Sequence, residues 1–200
     1  IDEAQTDRIA PLADRVQKRF GFTVRYIDPA RENQARLARD ISTVICDAMP
    51  EEPGAYLPSP DDITLLLNRA RPYFRSELAV MAYAGSEPIG LVIGFLDYNR
   101  VLKAMRGRAD PVSRFFARLQ LPGIDTVRCP MQFVIPEYQN KAVNAVMVYR
   151  AVQGARRLGI RYIEGSTVDE THIASINNTL ITGGRQYRTY RLYGKALQPQ

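Results

Sequence analysis

A short segment between an apolar run and a helical pattern carries residue types that can bind a phosphate group. It extends from Ile135 to Asn144 and includes Gln139 and Lys141. The first turn of an α-helix has backbone N–H groups without intrahelical partners and a partial positive charge, so it binds phosphate readily. Lys141 adds a full positive charge at this helix start. Two interpretations stay open, a phosphate-binding turn and an ordinary connection between a strand and a helix.

Three further side chains are candidates for proton transfer. Alternation places Glu164 on one face of a short strand, where a partly buried carboxylate can take a proton from an amine, directly or through water. The alternative for Glu164 is an ion pair with an arginine of the last strand. His172 can act as a general base or simply start a helix. Tyr190, like Tyr187 and Tyr193, can donate a proton or pack within a sheet.

Cysteine and metal chemistry have little support in the sequence. Cys46 and Cys129 lack the spacing of a metal site, and His172 is the single histidine. We therefore expect no metal, reduced thiols and a cytoplasmic protein. Cys129 is predicted to be a small buried apolar residue. Residue types alone also allow a nucleophilic triad of Cys129, His172 and Asp169.

The elements that position these residues alternate between helices and strands. Ser59 is a predicted N-cap, and Pro130 within a strand predicts an edge or a bulge. The order predicts an α/β fold, a mixed central sheet with helices on both faces, in a single domain 1–200. Hydrophobic spacing predicts helices over 1–20 (a lead-in), 30–49, 59–73, 99–107, 111–119, 141–158 and 172–182, and strands over 22–27, 78–84, 89–98, 126–135, 161–166 and 186–197.

Length and charge narrow the class of protein. Two hundred residues with 46% hydrophobic and 24% charged side chains suit one globular domain. Residues 140–200 hold nine basic and three acidic side chains, a surplus equal to the whole net charge of +6, so we expect an anionic partner. The acidic start does not resemble a signal peptide. No apolar run approaches the roughly 18 residues of a membrane span, and no nucleic-acid motif is present, so neither partner is expected.

From Thr126 to Leu197 the chain resembles the signature half of the GNAT superfamily of acyl-CoA-dependent N-acyltransferases. The resemblance rests on the turn 136–144, on the helix end 155–159 (Ala-Arg-Arg-Leu-Gly) and on the run 183–195. That run contains Tyr-Arg-Thr-Tyr-Arg and is similar to a bacterial branch that ends in a strand of this type, usually after another N-terminal region. The earlier strands 78–84 and 89–98 match the order of the superfamily.

The resemblance implies an N-acyltransferase that moves an acyl group from acetyl-CoA or another acyl-CoA to an amine, by direct attack on the thioester. The co-substrate is expected between two parallel strands that splay apart, 126–135 and 161–166, without a metal. The candidate catalytic residues are Glu164, His172 and Tyr190. The candidate cofactor-binding residues are Val134, Ile135, Gln139, Asn140, Lys141, Ala142, Val143 and Asn144. Besides the amine acceptor, an acyl-carrier protein, a companion N-terminal domain and a second copy of the chain remain open as partners.

The chain departs from the family's pattern at several positions. Gln139 matches the turn, but Ala142 and Asn144 stand where the family has two small residues, usually glycine first. A methyl group at Ala142 fits if that residue has helical dihedral angles, whereas Asn144 can obstruct a phosphate. Leu180 stands where many members have a proton-donating tyrosine. These departures favour, as the alternative, a catalytically degenerate GNAT fold that binds a ligand or another domain. A basic nucleic-acid-binding module is the second alternative.

Overall fold

The computed structural model describes residues 3–49, 56–108, 110–181, 184–191 and 193. Residue contacts divide the chain into two compact units, Ile1–Thr167 and Val168–Gln200. The helices are α1 (Glu3–Phe20), α2 (Gln34–Ala48), α3 (Pro60–Ala70), α4 (Asn99–Met105), α5 (Pro111–Gln120), α6 (Val143–Arg157) and α7 (Ile173–Ile181). The strands are β1 (Thr23–Tyr26), β2 (Ala79–Ala84), β3 (Glu87–Leu96), β4 (Thr126–Val134) and β5 (Tyr162–Glu164). All five strands and the first six helices belong to the first unit, and α7 belongs to the second.

The strands form one mixed sheet in the order β1-β2-β3-β4-β5. The first four strands are antiparallel to their neighbours, and β5 runs parallel to β4. A parallel neighbour requires a crossover, which α6 provides between β4 and β5. The predicted mixed α/β architecture is confirmed.

Apolar side chains on both faces of the sheet pack against helices. On one face, Met81 and Leu91 belong to a buried cluster with residues of α2 and α3. On the other face, Val80 and Val92 belong to a cluster with residues of α1 and α6. The apolar run of β3 predicted a strand covered on both sides, and its residues from Ile89 to Gly94 are indeed buried.

Three helix starts show how local chemistry sets the boundaries. The predicted N-cap Ser59 is confirmed, since Ser59 and Asp62 exchange the two hydrogen bonds of a capping box at the start of α3. Helix α2 begins at Gln34 rather than near residue 30, because the Asn33 side chain accepts a hydrogen bond from the backbone N–H of Arg36 at 3.0 Å. Helix α6 begins two residues later than predicted, because Ala142 has a left-handed backbone.

The predicted closing strand over 186–197 is wrong for the part that the structure describes. Residues 186–191 are not in a strand, and residues 192 and 194–197 lie outside the described residues. Alternating tyrosines and arginines favour a strand, but a strand also needs a neighbour for its backbone hydrogen bonds. The described part of the second unit contains no other strand.

Within the described ranges, no helix is both long enough and apolar enough to cross a membrane.

Candidate functional site

Strand β4 has a neighbour along its whole length on one side but only along its first third on the other. Strand β5 pairs with Thr126, Val127 and Arg128, and the last pair is Arg128 with Glu164. From Cys129 to Val134, β4 pairs with β3 alone. All three residues of β5 are paired, so β4 has no β5 partner beyond Arg128 because β5 ends at Glu164. The predicted splay of the two strands stays a prediction.

A bulge lies just beyond the last residue of β4 that pairs with β5. Phe95 of β3 pairs with Arg128 and Ile93 pairs with Met131, so two residues of β4, Cys129 and Pro130, stand opposite one residue of β3. Proline has no backbone N–H and is found at edges and bulges of sheets. The predicted bulge at Pro130 is confirmed, and a bulge bends the strand that contains it.

Beyond the bulge, β4 presents backbone groups on its open side. Ile135 donates its N–H to the carbonyl of Ile89 at 3.1 Å, so it faces β3. Alternate residues of an antiparallel strand face opposite ways, which directs the N–H groups of Gln132 and Val134 away from β3. The Gln139 side chain reaches the same side, where its Nε2 donates to the Val134 carbonyl at 3.2 Å. A ligand could pair with this edge as a further strand would.

The turn that follows β4 contains two left-handed residues. Asn140 has φ 63° and Ala142 has φ 57°, a region that L-residues occupy at a cost and glycine occupies freely. A methyl group was expected to fit at Ala142 if this residue had helical dihedral angles. Ala142 does not have those of a right-handed helix. The position requires the backbone conformation for which the family's glycine is suited, and the alanine adopts it.

Helix α6 begins without a capping side chain. Ala142 makes no side-chain cap, and the first turn contains no acidic residue. The N–H groups of the first turn have no partner within a helix and point along its axis, out of the N-terminus. Lys141 lies beside them, with its Nζ 4.3 Å from the centre of the Tyr138 ring. This arrangement of amides, helix dipole and ammonium group favours an anion.

Asn144 does not stand free at the helix start. Its Oδ1 accepts a hydrogen bond from Nε2 of Gln132 at 2.7 Å. The carboxamide is therefore directed toward β4, and this contact links the start of α6 to the part of the strand beyond the bulge.

An ion pair joins the last two paired residues of β4 and β5. Nη2 of Arg128 lies 3.1 Å from Oε1 of Glu164, and the side chain of Glu164 is 27% exposed. The alternative of an ion pair is thus observed, but with an arginine of β4 rather than of the closing segment. Arg128 pairs with Phe95, which packs against the cluster beneath α2 and α3. Paired residues share a face of the sheet, so the ion pair lies on that face.

The other two predicted catalytic residues, His172 and Tyr190, lie in the second unit. His172 is exposed and precedes α7, and its carbonyl accepts a hydrogen bond from the N–H of Ile176 at 3.2 Å. Its helix-start role is confirmed. Just before it, hydrogen bonds from Thr171 lower the pKa of the Asp169 carboxylate. Tyr190 is 64% exposed.

Cys129 lacks the properties of a nucleophile. Burial raises the pKa of its thiol to about 11, so the sulfur is protonated near neutral pH. Its Sγ lies 3.6 Å from the Met131 carbonyl. Cys129 is partly buried and packs against the cluster beneath α1 and α6, so the predicted buried position is only partly observed. The triad alternative loses its nucleophile. Within the described ranges, no group of three His, Cys, Asp or Glu side chains could hold a metal ion.

Sequence reasoning missed Arg128 and Gln132 as site residues. Each acts through a partner across a gap in the sequence, Glu164 for Arg128 and Asn144 for Gln132. The available signal was alternation along β4, which puts Arg128 on one face and Gln132 on the other once the bulge at Pro130 is counted. Without the register between strands, that signal does not name the partner.

No protein-family model matches the sequence. Among curated proteins, a relative described as a bacterial ceramide synthase, from Caulobacter vibrioides, is 23% identical over 96% of this chain and 52% of its own length. The chain thus spans about half the length of that relative.

Solved structures of two N-acetyltransferases share the fold. The aminoglycoside enzyme AAC(6')-Iy, bound to a CoA bisubstrate analogue, is 14% identical, with a TM-score of 0.56 over 88% of this chain and 99% of its own. The ribosomal-protein-alanine N-acetyltransferase of Brucella melitensis is 10% identical, with a TM-score of 0.53 over 87% of this chain and 99% of its own. These likenesses show that the chain has the fold of the GNAT superfamily of N-acyltransferases, as its resemblance implied.

Proposed function

We propose that this chain is an N-acyltransferase, which takes an acyl group from acyl-CoA and transfers it to an amine. The observation that carries the proposal is the uncapped start of α6 beside the open side of β4. A phosphate-bearing ligand with an extended arm suits both features, since the helix start favours the phosphates and the strand edge offers hydrogen bonds to the arm. Structures of the same fold with CoA or a CoA analogue support this choice.

In this proposal the pyrophosphate of CoA meets the N–H groups of Val143 and Asn144 and the charge of Lys141. Left-handed Asn140 and Ala142 shape the turn so that its backbone faces the phosphates. The pantetheine arm extends along β4 and pairs with the backbone of Val134, beside Ile135, in the space that β5 leaves open. The Gln139 side chain supports this edge through its bond to the Val134 carbonyl.

The chemistry that follows is a direct displacement. The amine nitrogen attacks the thioester carbonyl carbon, and a β4 backbone N–H on the open side stabilises the negative charge on the carbonyl oxygen. The C–N bond forms, the C–S bond breaks, and the sulfur leaves as a thiolate. The carboxylate of Glu164 takes the proton from the attacking amine, with Arg128 holding it in place. The thiolate takes up a proton from solvent. The roles predicted for His172 as a general base and for Tyr190 as a proton donor stay predictions.

The relative from Caulobacter vibrioides suggests which acceptor to test first. A ceramide is the amide of a fatty acid and a long-chain amino alcohol, and that relative is described as a ceramide synthase. We therefore extend the proposal to a long-chain acyl-CoA and a long-chain amino alcohol as the first substrate pair to assay. Short acyl-CoA and hydrophilic amines are the comparison pair.

Calorimetric titration with acetyl-CoA and palmitoyl-CoA tests the binding half of the proposal. We expect saturable binding of at least one of them, and no binding at millimolar cofactor would contradict the proposal. The catalytic half is tested by Glu164→Gln, which removes the base, with Glu87→Gln on the exposed start of β3 as the matched control. Glu164→Gln is expected to slow turnover at least tenfold without changing the dissociation constant for acyl-CoA.

Binding without turnover would favour the degenerate alternative. Two observations keep that alternative in view, namely that the Glu164 carboxylate is already engaged by Arg128 and that Leu180 cannot donate a proton. The titration and the turnover assay together separate a catalyst from a ligand-binding module.

A further inference from the structure

Helix α5 exposes the apolar stripe that an amphipathic helix normally buries. Val112, Phe115, Phe116 and Leu119 follow the i, i+3, i+4, i+7 spacing of one helix face. Their exposed fractions lie between 57% and 64%, and the rings of Phe115 and Phe116 meet edge to face at 5.8 Å. Leu102 on the neighbouring helix α4 is 58% exposed. The exposed apolar surface is thus built from both helices.

The stripe belongs to a well-formed element. Asp110 caps α5 by accepting a hydrogen bond from the Ser113 N–H at 2.9 Å, and Pro111 occupies the first turn. Val101 anchors α4 in the protein with 5% exposure. Tyr98, at the start of α4, packs edge to face against Tyr73 at 5.4 Å. Val101 and Tyr98 hold the inner side of α4. In α5 the side chains of Ser113 and Ala117 are only partly exposed, whereas the stripe is exposed to solvent in the folded state.

Basic residues are frequent in the segment that contains the stripe. The sequence from 99 to 121 contains six basic residues and a single acid, Asp110, whose carboxylate serves as the cap of α5. The hydrogen bonds from Ser113 lower the pKa of that carboxyl. Within this segment, the basic side chains whose exposure the structure describes are all exposed, namely Arg100, Lys103, Arg106, Arg108 and Arg118.

We propose that α4 and α5, with the connection between them, dock this protein on the surface of an anionic lipid bilayer. A bilayer offers both parts that this surface needs, an apolar interior for Phe115, Phe116 and Leu119 and anionic headgroups for the basic side chains around them. A helix of ten residues is about 15 Å long, which suits an element lying in the interface and is too short to cross the hydrocarbon core.

The proposal revises the expectation of no membrane partner. That expectation rested on the lack of a long apolar run, which is the signature of a spanning helix. An interfacial helix needs only a short stripe with basic flanks, and here the exposure of the stripe identifies it. A nucleic acid would account for the basic side chains but not for four exposed apolar side chains on one helix face.

The absence of tryptophan from the sequence allows a direct test. Phe115→Trp places a single tryptophan on the stripe, and Leu65→Trp places one at a 50% exposed position of α3 as the matched control. We expect the Phe115→Trp emission to shift to shorter wavelength with vesicles of phosphatidylcholine and about 30 mol% phosphatidylglycerol. We expect no shift with pure phosphatidylcholine, and none in the Leu65→Trp control. An unchanged Phe115→Trp spectrum with the anionic vesicles overturns the proposal.

Co-sedimentation with the same vesicles measures the contribution of each part of the surface. The double variant Phe115→Ser with Phe116→Ser should weaken binding at least tenfold, and Lys103→Glu with Arg106→Glu should do the same at about 0.1 M salt. Wild-type binding that is insensitive to both double variants overturns the proposal. A wild-type dimer that the Phe115→Ser, Phe116→Ser variant converts to a monomer, without vesicle binding, assigns the stripe to a second copy and also overturns it.

This inference does not rest on the proposed acyl transfer. The vesicles are added without acyl-CoA, so loss of vesicle binding and loss of acyl-CoA binding are separate readouts. The variant Phe115→Ser with Phe116→Ser should bind vesicles weakly and retain the wild-type dissociation constant for acyl-CoA. A parallel fall of the melting temperature would mark misfolding, in which case the Phe115→Trp spectrum decides.

Discussion

At the start of α3, Ser59 and Asp62 exchange hydrogen bonds, Pro60 occupies the first turn and two acids face the helix dipole. At the start of α6, a left-handed Ala142 is followed by a first turn with no acid and no capping side chain. Both are helix starts on the same polypeptide, and each has first-turn backbone N–H groups without an intrahelical partner. At the start of α3, the protein's own side chains cap the helix. At the start of α6, no side chain does so, and the N–H groups remain available to a ligand.

The difference indicates which of the two helix starts can bind an anion. A capped start contributes stability, typically about 1 kcal/mol, and gains little from an added anion. An uncapped start with a neighbouring lysine forgoes that stability and gains affinity for an anion instead. The uncapped helix also lies beside the strand whose backbone is open, which the capped helix does not. The pairing of these two features distinguishes a binding site from an imperfect turn.

The largest effect is expected from moving α6 itself. A Cβ at Gly154 would overlap the backbone carbonyl of Glu77, which cannot move aside. Gly154→Ala should therefore lower the free energy of unfolding by about 3 kcal/mol, and the melting temperature by roughly 10 °C. Thermal unfolding followed by circular dichroism measures it.

Gly90→Ala is the matched control for Gly154→Ala. A Cβ at Gly90 would lie 2.8 Å from Cε of Met147, the flexible end of a side chain, and 3.2 Å from the backbone oxygen of Phe133, a contact that a shift of a few tenths of an ångström relieves. The control should lose less than about 1 kcal/mol, because the methionine can change rotamer. Equal losses in the two variants would show that α6 is not seated by the contact between Gly154 and Glu77.

The second largest effect is expected from reversing the charge at the uncapped start of α6. Lys141→Glu replaces an attractive charge by a repulsive one beside the proposed phosphates, which should weaken acyl-CoA binding by about 2 kcal/mol, or roughly 30-fold. Lys18→Glu on an exposed position of α1 makes the same change of net charge. Calorimetric titration compares the two. Equal affinity of both variants would remove Lys141 from the site.

Most of the fold could be predicted from the sequence because its signals are local. The capping box at Ser59, the buried run of β3 and the bulge at Pro130 each depend on a few consecutive residues, and all are found in the structure. The closing strand failed for the opposite reason. Its alternating residues are typical of a strand. A strand also needs a neighbouring strand for its backbone hydrogen bonds, and a local pattern does not identify that neighbour.

The candidate site was predicted in part. The helix start with Lys141 could be located because a strand followed by a helix with a basic residue is a local signal. The ion pair of Glu164 with Arg128 and the contact of Asn144 with Gln132 could not, because each joins residues that only the sheet register brings together. The left-handed state of Ala142 was also missed, since alanine favours the right-handed helix.

The third effect concerns the residues that precede α6 and α3, Ala142 and Ser59, and their contributions to stability. Ala142→Gly relieves the cost of a left-handed alanine and should raise the free energy of unfolding by about 1 kcal/mol. Ser59→Ala removes the cap of α3 and should lower it by about 1 kcal/mol. Chemical denaturation of both variants gives the two signs. A loss of stability in Ala142→Gly would show that Ala142 is not held left-handed in the folded protein.

The smallest effect is a difference in how the stability contributed by the starts of α3 and α6 depends on pH. Hydrogen bonds from Ser59 and from the Tyr56 hydroxyl lower the pKa of the Asp62 carboxyl. A carboxyl whose folded pKa is lowered stabilises the protein above its unfolded pKa, and this contribution is lost as the pH falls through the folded value. Stability of wild type and Asp62→Asn should therefore differ at neutral pH and converge in acid.

Since the first turn of α6 contains no acid, Asn144→Gln at its start should shift stability by the same amount at every pH. A difference between wild type and Asp62→Asn that persists unchanged into strong acid would show that Asp62 acts in the cap through its shape rather than its charge.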